Sequence, residues 1–192
     1  MTDLMRYVTD LEKIDGHSGG APVDKWDPEY CGEIDLVIKR DGTWFHEGTP
    51  IGRARLVRLF STVIRKDGEE YFLVTPVEKM KIEVEDAPFV AVLMDIRQTN
   101  GHQELVFTTN VGDEVVAGPD HPIDMRKNIA TGERTPYIRI RRNLDALIAR
   151  PVFYDLADIG EMGTIDGQKQ FCVESQSVKF SLGSATELAD DV

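Results

Sequence analysis

The groups in this chain that could do chemistry are four histidines, two cysteines, a surplus of carboxylates and a few clustered arginines. His17, His46, His102 and His121 are scattered. No two stand at i, i+4 on a predicted helix, the arrangement by which HExxH turns two imidazoles onto one metal. His121 with Asp120 and Asp124 could touch a hard cation; the simpler reading is three solvated loop residues. Cys31 has Tyr30 and Glu33 nearby but no base to make a thiolate, so a structural thiol is expected. GxSxG, P-loop and GxGxxG motifs do not occur, which leaves the common hydrolase, NTPase and dinucleotide sites without support.

The cations say more. Arg139 and Arg141 lie two apart on a predicted strand, so they should share a face and form a fork for phosphate or carboxylate, with Arg142 beside them. Pairing with neighbouring acids is the competing reading. Arg53 stands in the first turn of a predicted helix, where unsatisfied N–H groups favour an anion. Lys79 sits at a turn between strands. Trp44, beside a hairpin turn, fills a core or stacks on a flat ligand. Thr75, Glu78, Asp113 and Glu114 are polar groups at turns and strand ends, the places from which side chains reach a domain seam. The candidate ligand-binding set is therefore Trp44, Arg53, Thr75, Glu78, Lys79, Asp113, His121, Arg139 and Arg141. No catalytic residue, metal ligand or cofactor is expected.

The chain has 192 residues, 41% hydrophobic, enough to bury a core. With 34 acidic against 22 basic residues the net charge is −12, which repels long nucleic acids and anionic membranes while leaving room for a local basic pocket. The first residues, MTDLMRYVTDLEKI, interrupt any apolar core with acids, unlike a signal peptide. No apolar run approaches the roughly 20 residues of a membrane span. Cys31 and Cys172 form no CxxC, so reduced thiols and a cytoplasmic protein are expected.

Periodicity supplies the elements that must position these groups. Residues 3–14 carry apolar side chains at helical spacing, and 16–28 read as a loop anchored by Trp26. Strands are expected at 34–39 and 43–46 around Asp41-Gly42. Thr49-Pro50 should open a helix that buries Leu56, Leu59, Phe60 and Val63 and ends at Asp67-Gly68. Residues 71–75 form a strand that ends before Pro76, and Met80, Ile82 and Val84 alternate with charges on the next. Strands 89–97 and 104–109 flank Asn100-Gly101; 115–117 and 137–141 follow, separated by a long polar connection over 118–136. Asn143 should cap a second helix through Leu144, Leu147, Ile148 and Val152, kinked at Pro151. Residues 171–174 and 178–182 form a last hairpin, and 187–192 an acidic tail. The expected class is α+β: two related units of mostly antiparallel sheet with one main helix each. They cover 34–88 and 89–185, after an extension over 1–33 and before a tail over 186–192. Sheet-and-helix order recurs in both halves without a residue-level repeat, which suggests a structural duplication.

The phrases DGTWFHEGTPIGR, YFLVTPVEKMKIEVEDAPFVAV, TNVGDEVVAGPDHPI and LDALIARPVFYDL together resemble a bacterial family known as domain of unknown function 1285, over roughly residues 30–183. The resemblance implies a two-part α+β architecture made by domain duplication, with a C-terminal half superficially like a pleckstrin-homology barrel. It also implies a ligand site at the domain interface, for a nucleotide-like molecule, and a part in signalling. The family offers no established catalytic residue to carry over. The expected function is a non-catalytic ligand-binding or sensory module for a small anionic or nucleotide-like ligand. The alternatives are a hydrolase or transferase using seam carboxylates such as Glu78 and Asp113, or a protein-interaction domain. Neither membrane insertion nor binding of long nucleic acid is expected, and the oligomeric state is left open.

Overall fold

Alternation of apolar and polar residues, rather than helical spacing, decides most of this chain. The computed structural model describes residues 20–127 and 132–184. The expected helix over 3–14, His17 and the acidic tail lie outside the described residues. The chain divides into two units: one holds the residues up to Pro88 together with Val111–Asp113, and the other holds Phe89–Asn110 and the residues from Glu114 onward.

Unit 1 contains β1 (Tyr30–Ile38), β2 (Trp44–His46), β3 (Thr49–Pro50), α1 (Ala54–Ser61), β4 (Ile64–Asp67), β5 (Glu70–Val74) and β6 (Lys79–Val84). Along β1, Ile34, Leu36 and Ile38 are buried while Glu33 and Asp35 are exposed, the period-two pattern of a sheet with one wet face. The six strands lie in the order β3-β2-β1-β6-β5-β4. Every neighbouring pair is antiparallel except β1 and β6, which run parallel. The sheet is therefore two three-stranded meanders fused through their first and last strands.

Three expectations change here. Thr49 and Pro50 pair with His46 and Phe45 instead of opening a helix. Glu47 (φ 48°) and Gly48 (φ 72°) make the tight turn, and Pro50 is tolerated because an edge strand needs no further N–H. The helix starts at Ala54, with Arg53 at its N-cap, and stops at Ser61 rather than near Asp67. The run Thr62-Val63-Ile64 is β-branched and favours extended backbone. The Ser61 and Thr62 hydroxyls donate to the carbonyls of Arg58 and Leu59, each at 2.7 Å, satisfying groups the helix end leaves open. Residues 21–33 are built into the unit rather than forming an extension. Ala21 donates its N–H to Thr62, Arg65 donates to the carbonyls of Val23 and Trp26, and Val23 is fully buried.

Unit 2 contains β7 (Phe89–Thr99), β8 (His102–Thr109), β9 (Glu114–Val116), β10 (Ile123–Lys127), β11 (Arg134–Arg141), β12 (Leu144–Ile148), α2 (Arg150–Asp158), β13 (Glu161–Ile165), β14 (Gln168–Ser175) and β15 (Val178–Ser184). Its six-stranded sheet has the order β10-β11-β12-β7-β8-β9, again with the first strand parallel to the sixth, β7 to β12. The two sheets thus share one strand order. The helices do not share positions: α1 joins the third and fourth strands of its sheet, and α2 follows the sixth of the other. What the two units share is the strand order of the six-stranded sheet.

Asn100 (φ 52°) and Gly101 (φ 82°) supply the two positive dihedrals of the β7–β8 hairpin, as the sequence predicts. The long connection over 118–136 is not structureless, since it contains β10, paired with β11. Residues 144–148 are a strand rather than the start of a helix. Leu144, Ala146 and Ile148 alternate into the core, and Pro151 explains where helix becomes possible. Its ring would clash with a carbonyl four residues back, so it sits in the first turn of α2, where no N–H is needed. The sheet β13-β14-β15 is tied on by the buried Ser175, whose hydroxyl accepts from the Leu105 N–H (2.9 Å) and donates to the Ala117 carbonyl (2.7 Å). No helix among the described residues is long and apolar enough to cross a membrane.

Gly160 leads from α2 into β13, and a Cβ placed there would lie 2.4 Å from Phe171 Cζ. Gly160→Ala should push that ring out of place and cost about 1–3 kcal/mol, read as a fall in the denaturant midpoint.

Candidate functional site

In a protein with so many carboxylates, a cation can serve a ligand only if no internal acid claims it. Lys79 is claimed. Its ammonium lies 2.6 Å from Asp67 Oδ2 and 4.0 Å from the centroid of the Phe72 ring. The β4–β5–β6 register explains this: Arg65 stands opposite Phe72, and Phe72 opposite Lys81, so Arg65, Asp67, Phe72 and Lys79 share one face. Arg65 donates to the same Asp67 oxygen from Nη2 at 2.9 Å. Burial opposes ionisation of Asp67, but the hydrogen bonds from Lys79 and Arg65 outweigh it and hold the carboxyl below its ordinary value.

The other unit 1 candidates differ in availability. Trp44 is 1% exposed and stands opposite Ile38 on the apolar face, so no ligand can stack on it; the core reading is correct. Its indole N–H has no hydrogen-bond partner among the described residues. Thr75 is 2% exposed and closes the turn after β5. Its N–H donates to the Glu78 carbonyl (2.9 Å), and the Glu78 N–H donates to its hydroxyl (3.1 Å). Glu78 and Asp113 are half-buried. Arg53 is exposed at the N-cap of α1. No side chain caps that end, no acid lies in its first turn, and the space where a Cβ would stand at Gly52 is open. Among the described residues Arg53 has no ion pair.

In unit 2 the expected fork is broken by a bulge. Arg139 stands opposite Asp145, but Arg141 stands opposite Leu144, the very next residue of β12. Adjacent strand residues point to opposite faces, so Arg141 is turned to the core side. There it is 8% exposed and its guanidinium stacks 4.8 Å from the centroid of Phe89. Arg139 stays on the polar side, where Nε is paired with Asp145 and Nη1 donates to the Arg142 carbonyl at 2.9 Å. Arg126 reaches the same Asp145 and lies 4.3 Å from the Tyr137 ring centroid. His121 Nδ1 is 3.0 Å from the Arg139 carbonyl, and Asp124 is taken by Arg126 (3.0 Å). Among the described residues no group of three possible metal ligands converges.

One site was missed in the sequence. Between Glu33↔Lys81 and Val37↔Glu83, β1 advances four residues while β6 advances two. Over this irregular pairing lies a cleft of about 640 Å³ whose lining is half apolar, from residues such as Ile34, Tyr71 and Ile82, and half charged, from Glu33, Asp35, Glu69, Glu70, Glu83 and Lys81. Lys81 is held by Glu70 (2.5 Å) and Glu33 (3.7 Å), so the cleft repels anions. The signal was present as charged alternation on the polar phases of β1 and β6, which period-two reading assigns only to a wet face.

The Asp67 cluster has a definite pH dependence. A carboxyl with a lowered folded pKa stabilises fully above its ordinary value near 3.8 and loses that contribution as pH falls through the folded value. Asp67→Asn should cost about 1 kcal/mol at neutral pH, the exposed side of the pair being screened by water. It should also flatten the acid limb of a stability-against-pH curve below that value.

Residues 21–87 match the domain described as "Domain of unknown function (DUF1285), N-terminal domain", and 88–182 match "Protein of unknown function (DUF1285), C-terminal domain". No curated protein matches. A solved DUF1285 family protein from Silicibacter pomeroyi DSS-3 is 46% identical with a TM-score of 0.83, over 95% of this chain and 97% of its own. Another from Shewanella baltica OS155 is 28% identical with a TM-score of 0.51, over 65% of this chain and 91% of its own. With both domains matched in order, the chain belongs to the DUF1285 family.

Proposed function

We propose that this chain is a non-catalytic ligand-binding or sensory module, and that its ligand is a small anion or nucleotide-like molecule. The observation that carries the proposal is the first turn of α1. That helix start has no side-chain cap and no acid in its first turn, so no residue of its own opposes the positive end of the helix. Arg53 stands at that start, and Gly52 leaves space for close approach. Elsewhere Lys79, Arg126 and Arg139 are neutralised by Asp67, Asp124 and Asp145. The acidic cleft over β1 and β6 turns anions away, which adds contrast to the α1 end. A pleckstrin-like character of unit 2, a part in signalling and a cytoplasmic setting belong to the same proposal.

Thermal-shift screening of the full chain against inorganic phosphate and a panel of nucleotides tests it. At a hundredfold excess over its dissociation constant, a true ligand adds about 2.7 kcal/mol of stability. Arg53→Glu should abolish the shift with an unchanged circular-dichroism spectrum, while Glu78→Gln should keep it. No shift with any member would end the proposal. Turnover of a bound nucleotide that Glu78→Gln removes would replace it with the enzyme reading.

A further inference from the structure

β7 is paired along one side with β8, from Ala91↔Thr109 to Thr99↔His102. Its other side is paired with β12 only at Phe89, Val90 and Ala91. Over residues 92–99, among the described residues, that edge carries no strand, although α2 also packs against β7. It is also apolar at the surface: Leu93 is 60% exposed, Ile96 49% and Val92 40%. An open edge of this length exposes a row of backbone N–H and C=O groups that another strand can pair with.

We propose that this edge joins two copies of the chain into a symmetric dimer, the two β7 strands pairing antiparallel with Ile96 on the two-fold axis. The choice of a second copy rests on charge. Charged residues usually guard exposed edges, and here the guards are Asp95 and Arg97. With Ile96 on the axis, Asp95 of each copy faces Arg97 of the other, so both guards become ion pairs, formed twice by symmetry. Ile96 meets its own copy, and Leu93 faces Thr99. An axis at Asp95 or at Arg97 would instead set like charges against each other. Arg97 already contacts Glu114 at 3.0 Å, but both groups are about half exposed, so the guanidinium can share a second carboxylate.

Sedimentation of the full chain from about 5 to about 500 µM, a span suited to a small strand-mediated interface, tests the proposal. The mass should rise from 21.6 kDa toward twice that value. Asp95→Lys and Arg97→Glu should each weaken association at least about tenfold, since each sets like charges opposite one another twice. An equimolar mixture of the two variants should regain it as a heterodimer. In that pairing the cation introduced at position 95 of one copy faces the carboxylate introduced at position 97 of the other, and the unaltered Arg97 faces the unaltered Asp95. Ile96→Lys, at an exposed site, should abolish association while leaving the circular-dichroism spectrum unchanged. A monomer throughout the range overturns the proposal. So does a dimer indifferent to all three changes, or a mixture of the charge variants that fails to associate.

Discussion

Each six-stranded sheet depends on one parallel pair. In unit 1 the meander β1-β2-β3 meets β4-β5-β6 only through β1 and β6, and in unit 2 β7 and β12 do the same. Antiparallel hairpins close locally, with turns of a few residues fixing the register. The parallel pair joins the first strand to the sixth, so its closure brings together residues far apart in sequence and must be supported by packing. The burial pattern agrees: Leu36, Ile38, Phe89, Leu144 and Ala146, all on the central strands, are fully buried. The cost of irregularity at this junction is visible in unit 1, where the uneven advance of β1 past β6 underlies the acidic cleft.

The local parts of the architecture were legible in the sequence. The Asn100-Gly101 turn, the alternation in β1 and β6, and the final hairpin follow from dihedral preference and period two; at Asp41-Gly42 only Gly42 takes a positive φ (84°), and the Lys39 N–H donates to the Thr43 carbonyl across a three-residue loop. What failed failed at places where the two periods overlap. Leu144, Leu147 and Ile148 satisfy helical spacing as well as a strand does, and pairing with β11 on one side and β7 on the other decides between them. Thr49-Pro50 has helix-start chemistry but also the chemistry of a short edge strand, and the Glu47-Gly48 turn settles the matter. A shared strand order cannot be seen from two halves that carry no residue-level repeat.

The candidate site was legible as an inventory of charges and not as geometry. That Arg139 and Arg141 share a face is a sound inference for a regular strand, and a single bulge reverses it. The fate of Lys79 depended on Asp67, twelve residues away, which only the β4–β5–β6 register brings near. Arg53, expected in the first turn of a helix opening at Thr49-Pro50, stands instead at the N-cap of a helix that begins at Ala54. The general lesson in this acidic chain is competition: internal carboxylates reach Lys79, Arg126 and Arg139 before any ligand could.

Ser175 has a consequence for how the second unit can be observed. Its hydroxyl uses both its donor and its acceptor role, and the Leu105 amide proton is held by that side-chain oxygen of β14 rather than by a backbone carbonyl. Solvent exchange at this single amide therefore reports on the seating of the β13-β14-β15 sheet. It would do so while the ladder of the six-stranded sheet stays closed, separating one motion of the unit from its global unfolding.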